Sequence, residues 1–277
     1  MATYRRKKDS DTWHSHKECS NWPISDYQEP TRYCKKCNEC VALEKFDKQA
    51  QDLHDTSPLK NIPHWYIDLR FDNTFNADPN HILSLETYWE TIRSCSYISA
   101  GYYRPHVNLT QGSYSHNKGT DGKGTNWIDS QDNNELIEYW RFHSNGQFVH
   151  FLSIEAEKQN QIGINSINNT IRDIFNFAGT LAQHLNATAF IKIRIVNIKG
   201  FVLYQDGGLP VFINSYPAFE DPCLNPIKLD KTALTSKDMD KLARGATASI
   251  FKSFNVNNIT EKTLKKIQKD LRPRHLA

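Results

Sequence analysis

Six candidate metal ligands crowd into the first forty residues: His14, His16, Cys19, Cys34, Cys37 and Cys40. The chain reads Trp13-His14-Ser15-His16-Lys17-Glu18-Cys19, and then, after a Trp-Pro stretch, Cys34-Lys35-Lys36-Cys37-Asn38-Glu39-Cys40. Two ligands three residues apart can reach one ion from a tight turn, and two such pairs complete a tetrahedron around zinc. The spacing selects His16, Cys19, Cys37 and Cys40 as ligands of one zinc ion. Cys34 competes through an equally spaced Cys34-x2-Cys37 pair, and His14 is an alternative to His16. Four protein ligands close the coordination sphere, which describes a structural ion and not one that activates water. Free thiols or disulfides are the competing reading of the same cluster.

Outside this segment, Cys95 and Cys223 stand alone in apolar surroundings and read as small core residues, so the cysteines do not form a secreted disulfide framework. A length of 277 residues suits one large domain with a small appendage. Hydrophobic content is low at 38%, yet 14 Phe, 12 Tyr and 6 Trp supply enough apolar area for a core. No apolar leader follows Met1, and no run approaches the roughly 18 apolar residues of a membrane span. A soluble, cytoplasmic protein is expected.

Net charge is only +3, but residues 228–277 hold 12 basic and 5 acidic side chains, a local excess of +7. Such an excess is the electrostatic footprint that phosphate backbones attract, although a solvated lysine-rich helix surface has the same composition. The candidate nucleic-acid contacts are Lys262, Lys265, Lys266, Lys269, Arg272 and Arg274.

Periodicity divides the chain into a zinc-binding module over 1–50, a linker over 51–63 and an α+β domain over 64–277. Pro58 and Pro63 disfavour helix at the residues before them and mark the linker. Alternation from Trp65 to Phe71 predicts a strand. Leu85, Tyr88, Trp89 and Ile92 predict a helix over 84–93 capped by Ser84. Tyr102 to Leu109 reads as a strand. Residues 110–134, with four glycines among polar residues, read as a long mobile loop. Two strands, Leu136 to His143 and Gln147 to Ile154, flank an Asn145-Gly146 hairpin signal. An apolar stripe from Ile171 to Leu185 predicts a helix over 166–185. Strands follow from Phe190 to Ile198, Phe201 to Tyr204 and Leu209 to Asn214, with helices over 236–254 and 260–271, the last capped by Thr260. Strands in hairpins with packing helices make an α+β fold with an antiparallel sheet.

Catalytic signals are sparse. Asp68, Glu155 and Glu157 are the acidic residues from which a magnesium-dependent nuclease would be built, because hard cations take carboxylate oxygens. A polar strand end explains the last two equally well. His143 and His150 flank the hairpin and His106 and His116 flank the 110–134 segment, and a strand register bringing 143 and 150 together would make an acid–base or metal pair. Phosphate-loop, nucleophile-elbow and His-Glu-x2-His patterns are all missing from the sequence. Aromatic and basic residues alternate at Tyr102-Tyr103-Arg104 and Tyr139-Trp140-Arg141-Phe142, where bases would stack beside phosphate contacts, or where half of each alternation is core.

The run Thr12-Trp13-His14, Cys19-Ser20-Asn21-Trp22-Pro23 and Cys37-Asn38-Glu39-Cys40 resembles a small bacterial zinc-ribbon-like module. Its pattern is Trp-His-x-Cys-x2-Cys-Ser-Asn-Trp/Tyr-Pro followed by Cys-x2-Cys, and His16 stands where the pattern has its first cysteine. The resemblance covers about a tenth of the chain and implies metal binding but no reaction. Residues 80–215, through Leu136 to His150 and the helix Ile171 to Leu185, are similar to the region beyond the AlbA-like domain of bacterial Schlafen-type DNA-binding proteins. The domain that handles nucleic acid in those proteins has no counterpart here, so this resemblance implies an accessory or sensing role in host defence. The sequence thus describes a non-enzymatic zinc-binding adaptor or sensor whose partner is nucleic acid or another protein, with no membrane and no small-molecule substrate. A metal-dependent nuclease is the alternative.

Overall fold

The computed structural model describes residues 5–7, 12–15, 19, 22–25, 27–28, 35–71, 85–99, 102–105, 115–120, 126–132, 137–154, 160–204, 217–230, 235–256 and 259–270. It divides into two compact units, Met1–Lys60 and Asn61–Ala277.

In the first unit, strands β1 (Arg5–Lys7), β2 (Thr12–His14), β3 (Tyr27–Gln28) and β4 (Lys35–Lys36) form a sheet in the order β3-β1-β2-β4, followed by helix α1 (Asn38–Thr56). β2 runs antiparallel to β1 and parallel to β4. Residues 51–56, expected in a linker, are instead the last turns of α1. From Cys40 to Thr56 there is no proline or glycine to stop a helix, and α1 ends only where Ser57 turns extended just before Pro58.

The second unit contains β5 (His64–Phe71), α2 (Leu85–Cys95), β6 (Tyr97–Ser99), β7 (Tyr102–Arg104), β8 (Ser115–Thr120), β9 (Asn126–Asp132), β10 (Glu138–His143) and β11 (Gln147–Ser153). These are followed by β12 (Gln161–Gly163), α3 (Ile164–His184), β13 (Ala189–Val196), β14 (Val202–Tyr204), β15 (Ile227–Leu229), α4 (Ser236–Lys252) and α5 (Glu261–Asp270). Seven strands form one antiparallel sheet in the order β15-β13-β5-β11-β10-β9-β8, and the fold is α+β as expected. A parallel β12–β14 pair and the β6–β7 hairpin stand outside it.

The core lies between one sheet face and the helices. Trp65, Ile67, Leu69 and Phe71 of β5 join Ile171, Phe175 and Ala178 of α3 in one apolar cluster that also takes in Ile250 of α4 and Leu264 of α5. Burying each such large side chain contributes about 1.5–3 kcal/mol. A Cβ at Gly179 would meet the Met239 sulfur at 2.9 Å, so glycine there lets α4 lie close on α3. α3 ends on Asn186 at φ 49°, with Ala187 N–H donating to the Ala182 carbonyl, an arrangement that satisfies the last carbonyls of the helix. Thr235 caps α4 by accepting from Asp238 N–H, and Thr260 caps α5 by accepting from Thr263 N–H.

Between β10 and β11 the Asn-Gly signal holds: Gly146 sits at φ 83° and its N–H donates to the His143 carbonyl. The 110–134 segment departs from the mobile-loop expectation, because β8 and β9 pair within it and β9 pairs along the whole of β10. Its polar, glycine-bearing sequence has low strand propensity, and an open sheet edge offering a row of backbone partners overrides that preference. Ser84, Leu209 to Asn214 and the stretch 106–109 lie outside the described residues.

β5 is buried along its whole length, on both faces. On the face away from the α3 cluster, Arg70 Nη2 and Nε lie 2.6 and 3.1 Å from Asp68 Oδ2, and Gln147 Nε2 donates to Asp68 Oδ1 at 2.8 Å. Arg194, the cross-strand partner of Tyr66, stacks its guanidinium 3.9 Å from that ring's centroid. Burial, and then the Asp68 carboxylate beside it, push the Tyr66 phenol above its ordinary range.

Candidate metal centre

β2 ends on His14, and the neighbouring β4 runs straight into Cys37 and the first turn of α1. Cys37 N–H donates to the Trp13 carbonyl at 2.9 Å, which fixes the end of β2 against the start of the helix. Cys37 is the N-cap residue of α1 and Cys40 lies in its first turn, so both thiols sit at the positive end of the helix dipole, where anionic ligands are favoured by about 0.3–1 kcal/mol. Cys19 arrives from the chain beyond β2, and its carbonyl accepts from Trp22 N–H at 2.9 Å.

His14, Cys19, Cys37 and Cys40 thereby form a buried cluster whose four donor atoms all lie within 4.8 Å of one another. His14 Nδ1 is 3.3 Å from Cys19 Sγ and 3.9 Å from Cys40 Sγ, and Cys19 Sγ is 3.7 Å from Cys37 Sγ. A disulfide holds its sulfurs about 2.05 Å apart, so these are thiols, as Cys95 and Cys223 also are. Trp22 and Leu43 pack against the three cysteines, and Arg5 covers the Trp22 ring at 5.1 Å. Ser15 joins the two halves: its N–H donates to Cys40 Sγ at 3.3 Å and its Oγ donates to Glu44 Oε1 at 3.0 Å, one turn further along α1.

Three of the four expected ligands, Cys19, Cys37 and Cys40, are therefore together, and the alternative His14 completes the set. His16 and Cys34 lie outside the described residues. Three-residue spacing favoured His16; what brings His14 into the cluster is the pairing of β2 with β4, which carries the end of β2 to the start of α1. A two-residue period turns His14 to the side opposite Trp13, toward the helix start.

The other candidate sites fare differently. Asp68 is buried with both oxygens engaged by Arg70 and Gln147, and this carboxylate is a structural anchor of the sheet. Glu155 and Glu157 lie outside the described residues. Trp140 is the register partner of His150, so His150 belongs to the face with Trp140 while His143 alternates to the other, and the register does not bring the two histidines together. His150 Nε2 instead lies 2.7 Å from Glu138 Oε1, with both side chains buried. His106 lies outside the described residues, and His116 is placed on β8. Lys262, Lys265 and Lys266 are exposed on α5, with Lys265 held 3.1 Å from Glu261. Nothing is described of the Lys269 side chain or of Arg272 and Arg274. No helix among the described residues is long and apolar enough to cross a membrane.

Compared with known proteins, the chain matches no family model, no curated protein and no solved structure.

Proposed function

We propose that the His14, Cys19, Cys37 and Cys40 cluster holds a structural zinc ion, and that the protein is a non-enzymatic adaptor or sensor built on this zinc-stapled module. The carrying observation is the geometry of the donors. Zn–S bonds of about 2.3 Å and Zn–N bonds of about 2.0–2.1 Å, at tetrahedral angles, require S–S edges of about 3.8 Å and S–N edges of about 3.6 Å. The separation of 3.7 Å between Cys19 and Cys37 fits the first edge, and 3.3 and 3.9 Å from His14 bracket the second. Soft thiolates with one imidazole favour zinc over hard cations such as magnesium or calcium. Four protein donors leave no position for a substrate or an activated water, which supports a role in holding shape.

The partner on this reading is nucleic acid or another protein. The exposed lysines of α5 support the first, and a role in bacterial defence is the setting that the Schlafen-type resemblance adds. Replacing the ion with cobalt(II) tests the site: a tetrahedral d–d spectrum with strong thiolate charge transfer is expected, and a weak octahedral spectrum would remove the proposal. A salt-dependent mobility shift of labelled DNA or RNA tests the partner. No shift at low salt, together with co-purification of a protein from the native host, would give the role to protein contacts.

A further inference from the structure

The strands of the sheet that supplies His14 are rich in basic residues, which metal binding alone does not explain. Of the ten residues in β1 to β4, five are Arg or Lys and none is Asp or Glu. The two faces can be told apart by register. Arg5 and His14 are cross-strand partners; His14 is a donor, and Arg5 lies over the Trp22 ring that packs on the cysteines, so this pair marks the metal side. Arg6 and Trp13 are the next cross-strand pair and alternate to the other side, each half-buried. Lys36 of β4 is the register partner of Trp13, and Gln28 of β3 is the register partner of Arg6. The row Gln28–Arg6–Trp13–Lys36 therefore sets an indole between two cationic positions about 9.6 Å apart, two interstrand steps.

Basic side chains gathered along one sheet attract polyanions. An aromatic face between cations also matches one kind of polyanion, a single-stranded nucleic acid. Its bases offer π-faces for the indole while its phosphates meet the flanking cations. We propose that this row, on the side of the module turned away from the metal ligands, is a stacking platform for single-stranded DNA or RNA. The proposal rests on the nucleic-acid arm of the reading above and gives it a site distinct from the α5 lysines. The metal fixes the platform indirectly, because the carbonyl of Trp13 accepts from the N–H of the ligand Cys37.

The test is fluorescence anisotropy of labelled oligo-dT and oligo-rU against the full zinc-loaded chain over a series of salt concentrations, with zinc content measured for every variant. Trp13→Ala leaves the backbone carbonyl in place and is expected to weaken binding roughly 5- to 150-fold, with Trp13→Phe restoring most of the loss. Arg6→Gln combined with Lys36→Gln is expected to reduce the slope of log affinity against log salt by about 1.4. If Trp13→Ala loses its zinc, the Arg6 and Lys36 variant decides. Unchanged affinity in zinc-loaded variants overturns the platform, and so does an equal dependence on Trp13 for a blunt duplex, whose bases are not free to stack. Loss confined to Lys262→Gln, Lys265→Gln and Lys266→Gln overturns this site while leaving the nucleic-acid reading intact. Wild-type binding to anionic phosphatidylserine vesicles but to neither oligonucleotide overturns both, and the zinc measurement stands apart from either.

Discussion

Replacing Arg70 by methionine would leave the Asp68 carboxylate buried with a neutral amide, Gln147 Nε2, as its remaining donor among the three groups of this network. Asp68 is 1% exposed and Arg70 is 4% exposed, so solvent cannot take over the role of the guanidinium. Removing one partner of a buried pair costs about 3–5 kcal/mol, against about 0–1 kcal/mol for a surface pair. For a unit of this size, each kcal/mol shifts Tm by about 2–4 °C, so Arg70→Met should lower the midpoint by about 6–20 °C. Asp68→Leu combined with Arg70→Met removes both charges and leaves only the Gln147 amide to satisfy, a cost of about 1–3 kcal/mol. The double variant should therefore be more stable than Arg70→Met alone. Urea denaturation followed by circular dichroism, with metal held constant, measures all the members of the cycle. A loss below about 1 kcal/mol in Arg70→Met, or additive losses in the double variant, would refute the view of Asp68 as a structural anchor. A catalytic carboxylate with an open coordination position would not show this asymmetry.

Three further outcomes follow from other parts of the structure. Ser15→Ala removes the Oγ contact to Glu44 but keeps the N–H bond to Cys40, and chelator competition should find zinc held about 10-fold less tightly. Asn168 is fully buried on α3 and neither amide atom finds a hydrogen-bond partner among the described residues, so Asn168→Leu should raise unfolding free energy by about 1–3 kcal/mol in a urea titration; destabilisation would mean that the amide has a use. The buried Tyr66 phenol has its folded pKa raised, so its contribution is complete below the ordinary value of 10.0 and is lost as pH climbs beyond it toward the folded value. Stability measured across that rise should fall less steeply in Tyr66→Phe than in the wild type.

Local chemistry made much of this legible. The Asn145-Gly146 turn, the apolar stripe of α3 and the Thr260 cap act within a few residues, and there sequence and structure agree. The 110–134 segment was opaque because its order comes from β10, whose edge β9 completes; polar residues with low strand propensity carry no trace of that neighbour. Continuation of α1 through residues 51–56 was obscured by charged composition, which resembles a linker but breaks no helix. At the metal centre the three cysteines were readable from the Cys-x2-Cys spacing and Cys19. The choice of His14 depends on where β2 ends and on the hydrogen bond from Cys37 N–H to Trp13, a long-range pairing that spacing rules do not contain.

Zinc content of the purified chain and of His14→Ala, His16→Ala and Cys34→Ser, by elemental analysis, bears most directly on the metal assignment. One zinc per chain is expected in the wild type, in His16→Ala and in Cys34→Ser, with the ion lost or held far more weakly in His14→Ala. Full occupancy in His14→Ala, or loss of the ion in His16→Ala, would contradict the assignment.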